Sequence, residues 1–311
     1  MMRYAIVDQH PAYAQEPTMT ILAPLKSLAP VALAATVLLA GCESLSPRVY
    51  DYRVMKVDHV AGSPLEIVNA NGSIRAYQEA RQDVAIEVEL FGKDEERLDF
   101  ATVHADRQGD RTLRVWIDWP GGKRHNGEGA KIEVFTPGAT NVNTKTSNGS
   151  VILMGLAGQA TVHTSNGSIH VDKHDGPVNA NTSNGAIRVE ETTGDIQFDT
   201  SNGRIIISDA MGAVEGDTSN GNIFVSTTDY NTNPIRVRTS NGRVELDLGY
   251  AFEGILRVST SNGRIKTDGL TNANLVESSN HTLELQVGNS DTISAVKTTN
   301  GSVRIHGRSD D

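Results

Sequence analysis

The phrase TSNGSI at residues 164–169 decides how this chain is read, because near-copies of it return at a nearly fixed interval. Aligned on the Asn-Gly step, the copies fall at Gly149, Gly167, Gly185, Gly203, Gly221, Gly242, Gly263 and Gly301, with His281 in place of glycine in SSNHTL. Steps of 18 to 21 residues are the mark of a solenoid or an array in which each copy is one structural unit. Around each copy apolar residues alternate with polar or mixed ones: Val162 precedes the motif, Ile169 and Val171 follow it, and His170 lies between them. Equivalent places hold Phe198, Ile205 and Ile207, then Val237, Val244 and Leu246. Period-two alternation means a strand buried on one face. Each repeat thus carries two short strands, one on either side of Asn-Gly, and a second turn such as Gly176-Pro177 separates it from the next.

Two layouts fit. In a meander of hairpins, Asn-Gly is a type I′ turn between antiparallel neighbours. In a β-solenoid each repeat is one coil, and like residues stack about 4.8 Å apart in parallel sheets. Stacking alone rewards the same side chain at the same place, because asparagine over asparagine bonds in a ladder. The expectation is an all-β fold: a parallel β-helix-like solenoid of 18–21-residue coils with a β-rich N-terminal cap. Its ladder comprises Asn148, Asn166, Asn184, Asn202, Asn220, Asn241, Asn262 and Asn300. Parity points the motif's Thr and Asn inward, and glycine is expected to supply a backbone conformation that a β-carbon resists. His281 then marks a strained or locally rearranged corner, or a wider bend.

Upstream, LEIVNANGSIRAY at residues 65–77 is one further copy. Alternation at Val84, Ile86, Val88 and Leu90, and at Leu113, Val115 and Ile117, adds more strands; GKDEERLDF at 92–100 is a polar turn or short helix, and PGGKRHNGEG at 120–129 an exposed loop. Residues 50–140 form the cap, and residues 141–307 the repeat solenoid continuous with it. At the N-terminus, Lys26 and an apolar run lead to Cys42, the chain's one cysteine, so no internal disulfide can form. That run is shorter than the roughly 20 apolar residues that cross a bilayer, so residues 1–41 read as a secretory signal, with the true start at Met1 or Met19. LAGC at 39–42 resembles the lipobox of bacterial lipoproteins. That resemblance implies cleavage before Cys42, a lipid on Cys42 and a tether over 42–49. With Glu43 next rather than aspartate, it implies sorting to the outer membrane.

The run KIEVFTPGATNVNTKTSNGSVILMGLAGQATVHTSNGSIHV at 131–171, with the copy at 65–77, resembles the bacterial β-strand-repeat domain of unknown function 4097. That family is also labelled a "putative adhesin" family. The resemblance covers nearly the whole chain beyond Cys42. It implies a β-solenoid at the cell envelope and brings no catalytic residues.

Chemistry must therefore be sought in the columns that stacking creates. Asp199 and Asp217 fall on neighbouring coils, where paired carboxylates serve retaining glycoside hydrolysis, hold a cation, or simply stand solvated. Arg204, Arg243 and Arg264, with Asn222, form a short basic stripe that either grips an anionic glycan or a partner's carboxylates or balances charge. Trp116 is either a sugar-stacking platform or part of the cap's packing. His170, Asp172 and His174 share a strand face but lack the further ligands a metal needs, and no motif calls for a cofactor. The net charge is -10, with residues 1–41 contributing none of it, which argues against a nucleic-acid partner. The expected function is that of a lipid-anchored, non-enzymatic binding, adhesin-like or structural protein, its partners the membrane and an envelope polysaccharide or protein. The alternatives are a carbohydrate-active enzyme using Asp199 and Asp217, and an envelope-stress component acting through a protein partner.

Overall fold

Val162, Ile169 and Val171 are buried while His163 is exposed and His170 half-exposed, so the alternation in the sequence is the alternation of two sheet faces. The computed structural model describes residues 48–107, 109 and 111–308. Cys42, the signal segment and residues 43–47 of the tether lie outside the described residues. The chain opens with Val49–Asp58 (β1), Leu65–Val68 (β2), Ile74–Gln78 (β3) and Asp83–Gly92 (β4). A one-turn helix Glu95–Phe100 (α1), capped by the Asp94 side chain, precedes Thr102–Arg107 (β5), Leu113–Asp118 (β6) and Gly129–Thr136 (β7). Regular coils follow: Asn141–Lys145 (β8) with Val151–Met154 (β9), Gln159–Asn166 (β10) with Ile169–His174 (β11), and Val178–Asn184 (β12) with Ile187–Thr192 (β13). Next come Ile196–Asn202 (β14) with Ile205–Ala210 (β15), Val214–Asn220 (β16) with Ile223–Thr227 (β17), and Ile235–Asn241 (β18) with Val244–Leu248 (β19). The chain closes with Gly254–Asn262 (β20), Ile265–Asp268 (β21), Ala273–Ser278 (β22), Thr282–Val287 (β23), Ile293–Asn300 (β24) and Val303–Gly307 (β25).

Two sheets result. The first runs β1-β4-β7-β3-β9-β11-β13-β15-β17-β19-β25-β21, and the second β22-β23-β20-β24-β18-β16-β14-β12-β10-β8-β2-β6-β5. From β8 to β19 every lateral pairing is parallel and like residues face each other: Thr164 opposes Thr182, Thr182 opposes Thr200, and Thr200 opposes Thr218. This is the expected β-solenoid. Buried aliphatic side chains from both sheets form one core, which gives each short coil the apolar burial it cannot obtain alone.

Spatial order departs from chain order at both ends. At the N-terminal end, β2 pairs with β8 and β3 with β9, so the early copy is itself a coil of the stack. β6 and β7 add a further parallel layer upon it. Antiparallel pairing appears only beyond that, where β4 joins β7, β1 joins β4 and β5 joins β6. Nor is the 120–129 loop wholly exposed. Glu128 is buried and takes an ion pair from Arg97 of α1, with Nη2 to Oε2 at 3.2 Å, and the His125 amide at 2.6 Å.

At the other end, β24 and β25 insert between β18/β19 and β20/β21. The last copy in the sequence is therefore the last but one in space. Thr267 explains the order. It occupies a place that is aliphatic in the other coils, and β21 is left as the end strand with Thr267 exposed. The interior seat goes to Val303 and Ile305, which are fully buried. The SSNHTL copy forms no coil. Its residues make the antiparallel hairpin β22–β23, with His281 at the turn and a negative φ, so there is no strained corner.

Candidate binding face

The TSNG corner fastens coil to coil through two kinds of side-chain contact. Thr164 is buried, and its hydroxyl donates to the Gly149 carbonyl of the preceding coil at 3.0 Å. Thr182 does the same to Gly167, and Thr239 to Gly221. The Asn166 carboxamide donates to Asn148 at 2.9 Å, and the chain of amides continues through Asn184, Asn202, Asn220 and Asn241 to Asn300 and then Asn262. This ladder lies on the outside, against the expectation of an inward asparagine. The bend at the corner breaks the alternation, so Ser165 and Asn166 both lean outward after the buried Thr164.

The glycine has a different reason from the one expected. None of the corner glycines from Gly149 to Gly301 has a positive φ. The coils come so close that a β-carbon on Gly167 would lie 2.0 Å from the Gly149 carbonyl oxygen, and one on Gly185 2.0 Å from that of Gly167. Close approach, not backbone conformation, demands glycine here.

These fastenings hold two outer faces. On the first sheet, the column after the glycines reads Arg204, Asn222, Arg243, Ser302, Arg264, because the inserted coil puts Ser302 between the last two arginines. The basic stripe is thus broken, and Arg264 stands apart. Arg204 and Arg243 flank a groove of about 310 Å³ with Asn222 between them and the half-buried Ile206 and Phe224 beside them. The two arginines are two strand spacings apart, about 9.6 Å along the stack. Asn222 is fixed by accepting the Arg243 amide at 2.9 Å. Among the described residues no carboxylate lies within ion-pair distance of Arg204 or Arg243, in contrast to Arg188, which forks onto Glu190. Their charge is available to a ligand. The apolar floor was invisible in the arginine column because Ile206 and Phe224 belong to the next outward column.

On the second sheet, Asp199 and Asp217 stand directly opposite each other. Burial, with Asp199 and Glu215 nearby, holds the Asp217 carboxyl above its ordinary range against the opposing pull of Arg238. Trp116 is half-buried on the outer face near the end of this sheet, stacked on the His104 ring at 4.6 Å between centroids and approached by Arg114 at 5.2 Å. Its packing is lateral; Trp119 is the indole that packs against the core. His170 pairs with Glu190 at 3.1 Å. His174 is on the opposite face from His170, since Lys173 takes a left-handed φ of 52° and shifts the alternation by one. Among the described residues no three His, Cys, Asp or Glu side chains gather as a metal site.

No family model matches this chain, and no curated protein does. Some solved structures are similar to it at low identity. A Bacteroides fragilis protein described as a "putative adhesin" is 16% identical, with a TM-score of 0.47 over 84% of this chain and 98% of its own. A Parabacteroides distasonis protein described as a "putative lipid binding protein" is 14% identical, with a TM-score of 0.39 over 84% and 97%. A further "putative adhesin" from Parabacteroides merdae is 10% identical, with a TM-score of 0.36 over 83% and 96%. Likenesses of this size carry no function from one chain to another.

Proposed function

We propose that this protein is a lipid-anchored, non-enzymatic binding protein of the bacterial envelope that holds an acidic polysaccharide in the groove of Arg204, Asn222 and Arg243. The observation that carries this reading is the pair of unpaired guanidiniums above an apolar floor. A uronic-acid ring offers an apolar face to Ile206 and Phe224 and a carboxylate to an arginine fork. Cys42 supplies the anchor, placed in the outer membrane by Glu43. The test is calorimetric titration of polyuronate chains into residues 43–311. Binding that is lost in the Arg204→Glu/Arg243→Glu variant, with thermal unfolding unchanged, supports the groove; equal binding by that variant, or none by the unsubstituted protein, removes it. Incorporation of labelled palmitate that disappears in Cys42→Ser tests the anchor separately.

A second reading is favoured by one observation, the raised Asp217 carboxyl beside Asp199. Two carboxyls on neighbouring strands, one of them raised by burial, match the paired carboxyls of retaining glycosidases. Glycan cleavage that vanishes in both Asp199→Asn and Asp217→Asn would support it. The shallow groove there is lined by Asn179, Asn181, Gln197 and Glu215, and it leaves a bound glycan open to water.

A further inference from the structure

Each sheet has two lateral edges, and three of the four resist pairing with another chain. β21 is four residues long and carries Lys266 and Asp268. β22 slips register against β23 between Leu275 and Glu277, as a bulge does. β5 is short and carries His104, Asp106 and Arg107. Short length, bulges and charge are the devices by which proteins protect open edges.

β1 carries Asp51, Arg53, Lys56 and Asp58, but it has neither the short length nor the bulge that protects the other edges. It pairs with β4 at ten consecutive positions without a slip, contains neither proline nor glycine, and has no strand on its other edge among the described residues. Its outer row exposes Tyr50 by 51%, Tyr52 by 70% and Val54 by 67%. Its inner row leaves Val49 and Met55 only partly covered, although Arg53 reaches the Leu98 carbonyl at the end of α1 at 2.6 Å. Exposed rows on both faces of a long, regular edge are what a further strand would bury.

We infer that β1 is the contact edge for a second copy of this chain, pairing antiparallel about a two-fold axis through Tyr52. The strand is complementary to itself in that register. Asp51 stands opposite the second copy's Arg53, and Arg53 opposite its Asp51, so the charges alternate across the seam. Tyr50 meets the second copy's Val54, and Val49 meets its Met55, while Tyr52 meets Tyr52. Aromatic and β-branched residues opposite one another and opposite charges are the stabilising cross-strand pairs. The next pair outward sets Arg48 against Lys56, which limits the seam to the seven residues 49–55. Continuous sheet across two chains with so short a seam gives a weak, reversible dimer.

Disulfide capture tests the seam in the full chain carrying Cys42→Ala, so that each new thiol is the only one. Tyr52→Cys brings two thiols face to face and forms a dimer on mild oxidation. Val54→Cys lies four residues from its mate along the seam, about 14 Å, and stays monomeric, as does Tyr230→Cys, which is 77% exposed on a remote turn. Adding Val54→Lys to Tyr52→Cys sets a charge against Tyr50 and abolishes capture, while thermal unfolding confirms that the body is intact. Equal capture at all three sites means random collision, and no capture at Tyr52 means that no such seam forms; either result overturns the inference, as does capture at Val54 in place of Tyr52. The anchor and the arginine groove take no part in this test.

Discussion

Within one corner, two side chains of unequal exposure share the joining of the coils. Thr182, buried, serves the Gly167 carbonyl; Asn184, exposed, donates to Asn166 and accepts from Asn202. A buried carbonyl left without its donor costs about 1–3 kcal/mol, whereas an exposed amide exchanges its bonds with water at a cost below about 1 kcal/mol. Thr182→Val is therefore expected to destabilise more than Asn184→Ala in urea unfolding. Gly185→Ala costs more than either, because its β-carbon meets a backbone oxygen that cannot move alone. The same reasoning applies to His174, which is buried with Nε2 donating to the Gly158 carbonyl at 2.7 Å and Nδ1 unpartnered. Burial lowers its pKa from the ordinary 6.5. The folded state then binds its proton less readily than the unfolded chain, so stability is full above pH 6.5 and falls as the pH drops from there towards the lowered value. His174→Gln keeps a donor and cannot titrate; its unfolding midpoint should change less between pH 7.5 and pH 5 than that of the unsubstituted protein.

A strand's inward and outward rows depend on where its alternation is reset. At the end of β9, β11, β13 and β15 the same column holds Gly155, Lys173, Glu191 and Asp209, with φ of 70°, 52°, 48° and 53°. This left-handed step lets His174, Thr192 and Ala210 point inward where simple parity would send them out. Such a φ costs a residue with a β-carbon roughly 1–2 kcal/mol, and glycine avoids that cost but loses more chain entropy on folding. Glu191→Gly should thus raise the thermal midpoint or leave it level, whereas glycine at Arg188, on the same strand but with ordinary extended geometry, should lower it. Gly155 was the one written sign of this column, and a single glycine among charged residues is too little to read. The strands themselves were legible because Ile169, Ile187 and Ile205 repeat in phase; the reset was not, because a backbone angle leaves no composition behind.

Taken as a whole molecule, the stack was readable from TSNG and its order was not. Repetition tells which residues stand over which column, but every copy offers nearly the same column, so the sequence permits Asn262 to stack on Asn241 as readily as on Asn300. The groove suffered the same ambiguity: Arg204, Asn222 and Arg243 are neighbours in both chain order and space, while Arg264 is separated by the inserted Ser302. What breaks the tie is the quality of each coil's inward row. Thr267 at an end strand loses little by facing water, and Ile305 in the penultimate coil is fully buried. If coils stacked in chain order, the exposures of these two residues would be exchanged, and so would the effects of substituting them. Inserted order makes Ile305→Thr the costly change, by about 2–4 kcal/mol from lost burial and a hydroxyl in the core. Thr267→Ile should move stability by less than about 0.5 kcal/mol, as exposed substitutions do. Urea unfolding of the two variants decides between the orders, and a larger response at Thr267 than at Ile305 would place the final copy at the end of the stack after all.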